Sequence, residues 1–408
     1  MKNIVVQKYG GSSVGTLDRI HAIADRLGRD ARAGKKIVAV VSAMAGETDR
    51  LLALGRHFTP QPPARELDFL VSTGEQISAG LLAIALRSKG IPSLALLGHQ
   101  VPIRTDRNFG EAQIEFVAPH RVKDRLNSGE VVVIAGFQGV TEEGEITTLG
   151  RGGSDLTAVA LAVALEASVC RIFTDVPGVF TADPQICADA RPIRKISYDE
   201  MLELASLGAK VLQSRSVQLA KRYQIPLQVL SSFDDGEGTW VQKEDRDMEK
   251  TVVSGITCDR KEGKISVRHL PDPVHAAEKL FSGLAEAQIV VDVIVQDRGS
   301  DGKTNITFTV PRESFDKAAA IAQKLAKSDS KTEILLQDRI AKISAVGLGM
   351  RSHSGVAAQM FQTLAKEGID VAAVSTSDIK ISCVIDDRYA ELAVRALHDA
   401  FGLAKEVN

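Results

Sequence analysis

Lys8 stands just past the β-branched run Ile4-Val5-Val6 and is followed at once by Tyr9-Gly10-Gly11-Ser12-Ser13. Residues 17–33 then read as a helix. A strand, a glycine turn and a helix start aim backbone N–H groups and the helix dipole at one spot, where an anion is stabilised. Lys8 adds a full positive charge to that spot. The same residues also suit an ordinary strand-to-helix turn. No Gly-Lys-Ser/Thr follows the glycines, so this is not a P-loop, and the spacing is not that of the dinucleotide fingerprint.

A second loop of this kind lies deeper in the chain. The apolar run Val131-Val132-Val133-Ile134-Ala135 enters a glycine turn at Gly136, and Thr147-Thr148-Leu149-Gly150-Arg151-Gly152-Gly153-Ser154-Asp155 follows. Residues 156–167 are rich in alanine and form a strong helix pattern. Arg151 can fork onto a carboxylate, the glycines admit a ligand close to the backbone, and Ser154 can cap the helix. A turn built only for shape would not need arginine, serine and aspartate crowded around its glycines.

The elements that must position these loops alternate. Strand runs at 4–6, 36–41, 93–97, 130–136, 169–173 and 227–230 are separated by helical patterns at 17–33, 77–89, 118–128, 156–167, 198–207 and 211–223. Such alternation predicts a largely parallel sheet covered by helices on both faces, with ligands at the carboxyl ends of the strands. Both glycine loops, Ser42 and Thr174-Asp175 fall at such ends. A charged, glycine-bearing stretch from 233 to 250 reads as a linker. Beyond it a repeat emerges: Ala277, Phe281, Leu284, Ile289 and Val291 recur as Ala357, Phe361, Leu364, Ile369 and Val371. Each copy fits a βαββαβ unit. The expected domains are 1–245, a linker at 246–263, and two α+β units at 264–340 and 341–408.

Composition narrows the class. The chain has 408 residues, too long for one core, and a net charge of −2 from 50 basic and 52 acidic side chains. That balance gives no support to a nucleic-acid or membrane-surface role. Four cysteines lack paired spacing, and the eight histidines show no metal-ligand pattern. No signal-peptide pattern is visible, and no apolar run approaches the ~20 residues of a membrane span. The expectation is a cytoplasmic protein without a protein-held metal.

Three further segments carry polar chemistry. After Val41, Ser42 and Thr48 lie in a small, hydroxyl-rich stretch where Thr48 is a plausible helix cap. In Ser72-Thr73-Gly74-Glu75, the glutamate is either a capping-box carboxylate or an acceptor for a ligand's ammonium. Thr174-Asp175-Val176-Pro177-Gly178-Val179-Phe180-Thr181-Ala182-Asp183-Pro184 is a long polar loop that suits a nucleotide's base and ribose, or serves as structure alone. Lys210 begins a helix, where a cation is unfavourable unless an anion sits opposite.

Taken in order, Lys8-Tyr9-Gly10-Gly11-Ser12-Ser13, Gly150-Arg151-Gly152-Gly153-Ser154-Asp155 and the C-terminal repeat resemble the aspartate kinases of the amino-acid kinase superfamily, along essentially the whole chain. The resemblance implies a three-layer αβα kinase domain followed by two ferredoxin-like ACT domains. It implies transfer of the ATP γ-phosphoryl to the β-carboxylate of L-aspartate, with Mg²⁺ carried in by the nucleotide phosphates. Lys8, Arg151 and Asp155 match the catalytic positions. Ser42, Thr48, Glu75, Gly152, Gly153 and Ser154 match the substrate side. Tyr9, Gly10, Gly11, Ser12, Thr174, Asp175, Phe180, Asp183, Pro184 and Lys210 match the nucleotide side, with Gly10 and Gly11 donating backbone N–H bonds. Kinases of the same superfamily acting on glutamate, acetylglutamate or UMP are the nearest alternatives, and a catalytically dead amino-acid sensor is the other.

The ACT pair implies feedback by lysine or threonine. Contacts would come from Asp272, Val291, Asp292, Gln296 and Thr307, with Ser352, Asp370, Val371 and Asp378 from a partner chain. A dimer or higher oligomer through the ACT domains is implied, and a regulatory-only subunit could start near Met248. Several residues depart from the family pattern. Phe180 replaces a common tyrosine, Gln185 an arginine and Ser214 a proline. Val274-His275 stand where a glycine is usual, which predicts an altered effector pocket because neither adopts positive φ readily.

Overall fold

Chain order in the first half begins β1 (Ile4–Tyr9), α1 (Leu17–Arg32), β2 (Lys36–Val41), α2 (Glu47–Phe58), α3 (Ala64–Val71), α4 (Thr73–Ser88) and β3 (Ser93–Leu96). There follow β4 (Ile103–Thr105), β5 (Ile114–Val117), α5 (His120–Asn127), β6 (Val131–Ala135), β7 (Gln138–Val140), β8 (Ile146–Thr148) and α6 (Gly153–Ala164). It closes with β9 (Val169–Thr174), β10 (Lys195–Ser197), α7 (Tyr198–Ser206), α8 (Ser214–Tyr223), β11 (Leu227–Ser231) and β12 (Thr239–Gln242). This computed structural model describes residues 3–206, 211–245, 248, 251–271, 273–299, 302–326 and 331–405.

Eight strands form one sheet in the order β10-β12-β11-β9-β1-β2-β6-β3, parallel except at β11/β12. Its central strands are buried on both faces, and so their sequences are continuous apolar runs rather than alternating ones. On one face Ile20, Ile23 and Leu27 of α1 and Leu82 and Leu86 of α4 pack on Ile37, Ala39, Val133 and Ala135. Helix α6 lies against β1, β2 and β9. Side-chain alternation along β1 therefore separates neighbours: Tyr9 joins the α1/α4 core, while Lys8 points toward α6.

A second sheet, β5-β4-β7-β8, was not visible in the sequence pattern. Its strands are three or four residues long, too short to display a period. Strand β12 also falls inside the stretch read as linker. The helical run Ala64–Ser88 is long and apolar enough, by length and composition, to cross a membrane, which corrects the expectation that no such run exists. It belongs here to the first unit, with 56% of its most apolar window buried.

By compactness the chain forms two units, Met1–Val179 with Pro192–Met248, and Phe180–Arg191 with Glu249–Asn408. The excursion 180–191 contributes Ala182 and Cys187 to the second unit's core, although the sequence placed it in the first domain. The second unit contains β13 (Gly255–Asp259), β14 (Glu262–Leu270), α9 (Pro273–Glu286), β15 (Ile294–Arg298), β16 (Thr304–Pro311), α10 (Phe315–Ala326) and β17 (Glu333–Gln337). The second repeat adds β18 (Ile340–Val346), α11 (Val356–Lys366), β19 (Ala373–Ser377), β20 (Lys380–Asp386) and α12 (Ala390–Ala400).

The first repeat is a complete βαββαβ unit with sheet order β15-β16-β14-β17. The second borrows its last strand from upstream. Strand β13 pairs antiparallel with β18 in the sheet β13-β18-β20-β19. Residues 255–259, expected as linker, thus complete the second repeat, and the first is inserted between its strands.

Candidate active site

Asp155 sits in the first turn of α6, where a carboxylate complements the helix dipole. Its Oδ1 lies 2.7 Å from Lys8 Nζ, and the two side chains are only 9% and 12% exposed. The contact departs from hydrogen-bond geometry, since Asp155 Oδ1 is a buried oxygen without a directed donor. Charge attraction holds this pair, and the ammonium keeps N–H donors in reserve. The helix reaches the strand ends because Gly136 is bare: a Cβ there would come within 2.8 Å of Ser154. Ser154 lies inside the first turn and is buried, so it does not cap α6; Gly152, with φ +69, takes that position.

The turn after β1 differs from expectation in two residues. Tyr9 is fully buried, stacks on Phe173 at 4.8 Å and donates its hydroxyl to Gln7 Oε1 at 2.7 Å. Its ring is core. Gly10 N–H donates to Phe173 O at 3.2 Å, so this donor serves the strand rather than a phosphate. Gly11 and Ser12 remain, and their N–H groups have no backbone acceptor among the described residues. Ser13 Oγ lies 2.5 Å from Ser232 Oγ, which ties the turn to the end of β11. Beside that pair opens a cavity of about 300 Å³ where Arg19, Arg26 and Arg29 are offset by Asp25 and Asp235.

On the substrate side, Ser42 follows β2 and is half-buried. Thr48 is not a cap: α2 starts at Glu47 behind Gly46, whose φ is +80. Glu75 makes no capping box either. Its Oε1 accepts from Ala43 N at 3.0 Å, across from the segment that carries Ser42, while Oε2 is buried with no partner. Burial pushes the Glu75 carboxyl up to about 7, with the Ala43 hydrogen bond opposing the shift. An unpartnered oxygen on a carboxylate 3% exposed is suited to receive a cationic group. Helix α4 can approach so closely because Gly74 leaves room beside Ala43; a Cβ would sit 2.8 Å from it. Arg151 is exposed between Gly150 (φ +76) and Gly152, four residues ahead of Asp155 in one loop.

Thr174 ends β9 and Asp175 follows it, and Thr174 Oγ1 donates to Asp175 Oδ1 at 3.1 Å. Phe180, Asp183 and Pro184 belong to the second unit. There Asp183 Oδ1 accepts from Gln185 N at 2.9 Å. Lys210 and Asp272 lie outside the described residues. Of the other effector candidates, Val291 and Val371 pack on the two repeat cores, and Thr307 Oγ1 pairs with Ser266 Oγ at 2.8 Å. Gln296, Ser352, Asp370 and Asp378 are exposed. Asp292 pairs with Lys342. Helix α9 begins at Pro273, so Val274 and His275 have ordinary helical backbone. In the second repeat Gly355 has φ −85. Val274, His275 and Gly355 themselves do not need positive φ, which removes that backbone reason for an altered effector pocket.

Sequence reasoning missed Asp68, Ala43 N and Arg215. Asp68 accepts from Thr148 and Gly110, and Arg215 donates to Leu149 O and Ala112 O. Nothing in the sequence marks Asp68, whose partner Thr148 is distant in the chain.

Residues 3–231 match the amino acid kinase family and residues 343–401 the ACT domain. An aspartate kinase of Pseudomonas putida is 48% identical over 401 residues, covering 98% of each chain. An aspartokinase of Helicobacter pylori is 48% identical over 405 residues, covering 98% of this chain and 99% of its own. The crystal structure of E. coli aspartokinase III in complex with aspartate and ADP is similar over 97% of this chain and 99% of its own. Its TM-score is 0.80 at 27% identity. Fold and site thus define an ATP-dependent kinase of the amino acid kinase family with C-terminal ACT domains. Within that class, the chain belongs to the aspartate kinases.

Proposed function

We propose that the protein transfers the γ-phosphoryl group of ATP to the β-carboxylate of L-aspartate, giving 4-phospho-L-aspartate at the entry to lysine, threonine and methionine synthesis in the cytoplasm. The observation that carries this reading is the Lys8–Asp155 pair at 2.7 Å where β1 and α6 meet. An aspartate carboxylate, with a pKa near ~3.9, is ionised at neutral pH and needs no general base. The obstacle is bringing two anions together, so positioning and charge neutralisation must supply the catalysis.

Lys8 bridges phosphoryl oxygens as charge develops, and Asp155 fixes where its ammonium points. Gly11 and Ser12 N–H groups meet the phosphates. Arg151 clamps a substrate carboxylate beside Gly152 and Gly153, while Glu75 accepts the substrate ammonium near Ser42 and Thr48. Thr174, Asp175, Phe180, Asp183, Pro184 and Lys210 serve the nucleotide. Among the described residues no three His, Cys, Asp or Glu side chains cluster to hold a metal. Mg²⁺ would be carried by the triphosphate and water, where it would neutralise phosphate charge.

Lysine or threonine would act at the first repeat through Asp272, Val291, Asp292, Gln296 and Thr307, with Ser352, Asp370, Val371 and Asp378 from a partner chain in an ACT-paired dimer. A similar protein supports lysine: E. coli aspartokinase III has been crystallised in complex with lysine and aspartate. A regulatory-only subunit starting near Met248 would add to this assembly. The test is ADP release and hydroxamate trapping with aspartate, glutamate, acetylglutamate and UMP. It is repeated with lysine, threonine and methionine, singly and together. Turnover selective for aspartate is expected; turnover on another acceptor, or none, overturns the reading.

A further inference from the structure

Asp68 is a carboxylate 3% exposed, with no cation paired to it among the described residues. Burying such a group is unfavourable unless hydrogen bonds to its charged form compensate. Here its Oδ2 accepts from Thr148 N at 2.8 Å and Gly110 N at 2.9 Å, and its Oδ1 from Thr148 Oγ1 at 2.7 Å. Thr148 O accepts from Ala112 N at 2.9 Å, and Leu149 N donates to Phe137 O at 2.9 Å. Arg215 closes the set: Nη1 donates to Leu149 O at 2.9 Å and Nη2 to Ala112 O at 3.0 Å. Every backbone polar group of Thr148 and Leu149 is thereby fixed.

The next three residues turn into α6: Gly150 O accepts from Gly153 N at 2.9 Å and Gly152 O from Asp155 N at 3.0 Å. Gly150 and Gly152 both have positive φ, and Arg151 stands exposed between them. Glycines confer conformational freedom, not placement. The guanidinium can be placed only from its two flanks: the start of α6 downstream, and the Thr148-Leu149 clamp upstream. Asp68 also lies on the helical run that carries Glu75. Helices α3 and α4 are separated only by Ser72, itself helical at φ −61 and ψ −18. One run of helix therefore holds Thr148 through Asp68 and Ala43 through Glu75.

We propose that Asp68 and Arg215 are positioning residues for phosphoryl transfer, touching no substrate themselves and setting the guanidinium of Arg151 by clamping Thr148 and Leu149. The inference rests on Arg151 acting as the substrate clamp. Asp68→Asn keeps the shape but turns an acceptor into a donor facing an N–H. It should raise KM for aspartate about 10- to 100-fold, the effect expected of a side chain misplaced by about 1 Å, with KM for ATP within about twofold. In an Arg151→Ala background the same change should add nothing. Arg215→Lys should recover part of the loss seen in Arg215→Gln, since an ammonium can still donate to one of the two carbonyls.

Full additivity between Asp68→Asn and Arg151→Ala, or equal rises in both KM values, overturns the proposal. Should Asp68→Asn not fold, Arg215→Gln carries the same cycle and decides it. An enzyme that turns over with a different carboxylate would sink the aspartate reading instead, while the cycle stays readable with that substrate.

Discussion

Two lysines paired with carboxylates occupy the two units, and they are satisfied differently. Lys342, 4% exposed, donates to Glu262 Oε1 at 2.6 Å and to Asp292 Oδ2. It joins β18 of one repeat to β14 and the β15 approach of the other. Burial alone would lower the Lys342 pKa, but the two carboxylates outweigh it and hold the ammonium charged. Lys8 has one carboxylate, outside hydrogen-bond geometry, and a more open side chain. The difference teaches what each lysine is for. A saturated ammonium ties two folds together; an unsaturated one has donors left for a ligand.

The comparison can be broken at either end. Lys8→Ala and Asp155→Ala should each cut turnover by at least about 100-fold, the range for lost transition-state donors. Near-normal turnover in either would end its assigned role. Lys342→Met should do the opposite. Removing the cation strands buried carboxylate charge, and the second unit should lose about 3 kcal/mol in urea unfolding, with kcat little changed. A variant as stable as the parent would mean that the triad contributes nothing net.

Glu75 sharpens the contrast through pH. Its folded pKa, about 7, lies above the ordinary 4.5, so the native state holds a proton that the unfolded chain has released between those values. Stability conferred by that proton is present below pH 4.5 and lost as pH rises to 7. Glu75→Gln should remove this slope and stabilise the free enzyme above about pH 7 by on the order of 3 kcal/mol. With substrate the sign reverses: KM for aspartate should fall as Glu75 ionises between about pH 6 and 8, and the glutamine variant should lose that dependence. A flat KM profile in the parent would show that Glu75 receives no ammonium. Smallest of all, Phe180→Tyr should restore one hydrogen bond and lower KM for ATP about threefold to tenfold; no change would leave that hydroxyl without a part in nucleotide binding.

Much of this was legible in the chain because parallel strands are buried on both faces. Val131 to Ala135 and Lys36 to Val41 are recognisable as apolar runs, and the glycines beside Lys8 and Asp155 follow such strands. The sheet β5-β4-β7-β8 was not, since a strand as short as Ile103–Thr105 displays no period. Asp68 was hidden for a different reason. A lone aspartate on a helix resembles solvent-facing polarity until Thr148, distant in the chain, is folded onto it. Glu75 was visible as a residue but ambiguous in role, and only Ala43 N separates a helix cap from a cross-loop contact. At Val274 the expected need for glycine failed because Pro273 starts α9 a residue earlier than a left-handed turn would require.

The route of the backbone near β9 has a mechanical consequence. The chain leaves the first unit after Val179 and re-enters by Ile193; Ile193 N donates to Val179 O at 2.8 Å, and Thr239 Oγ1 donates to Ile193 O at 2.6 Å. In between, Thr181 Oγ1 meets His398 Nε2 at 2.9 Å and Arg191 Nε donates to Leu403 O at 2.9 Å, so both ends of the excursion are moored to the α12 region. The path from α12 to Thr174 and Asp175 is therefore a covalent one, only a few residues long.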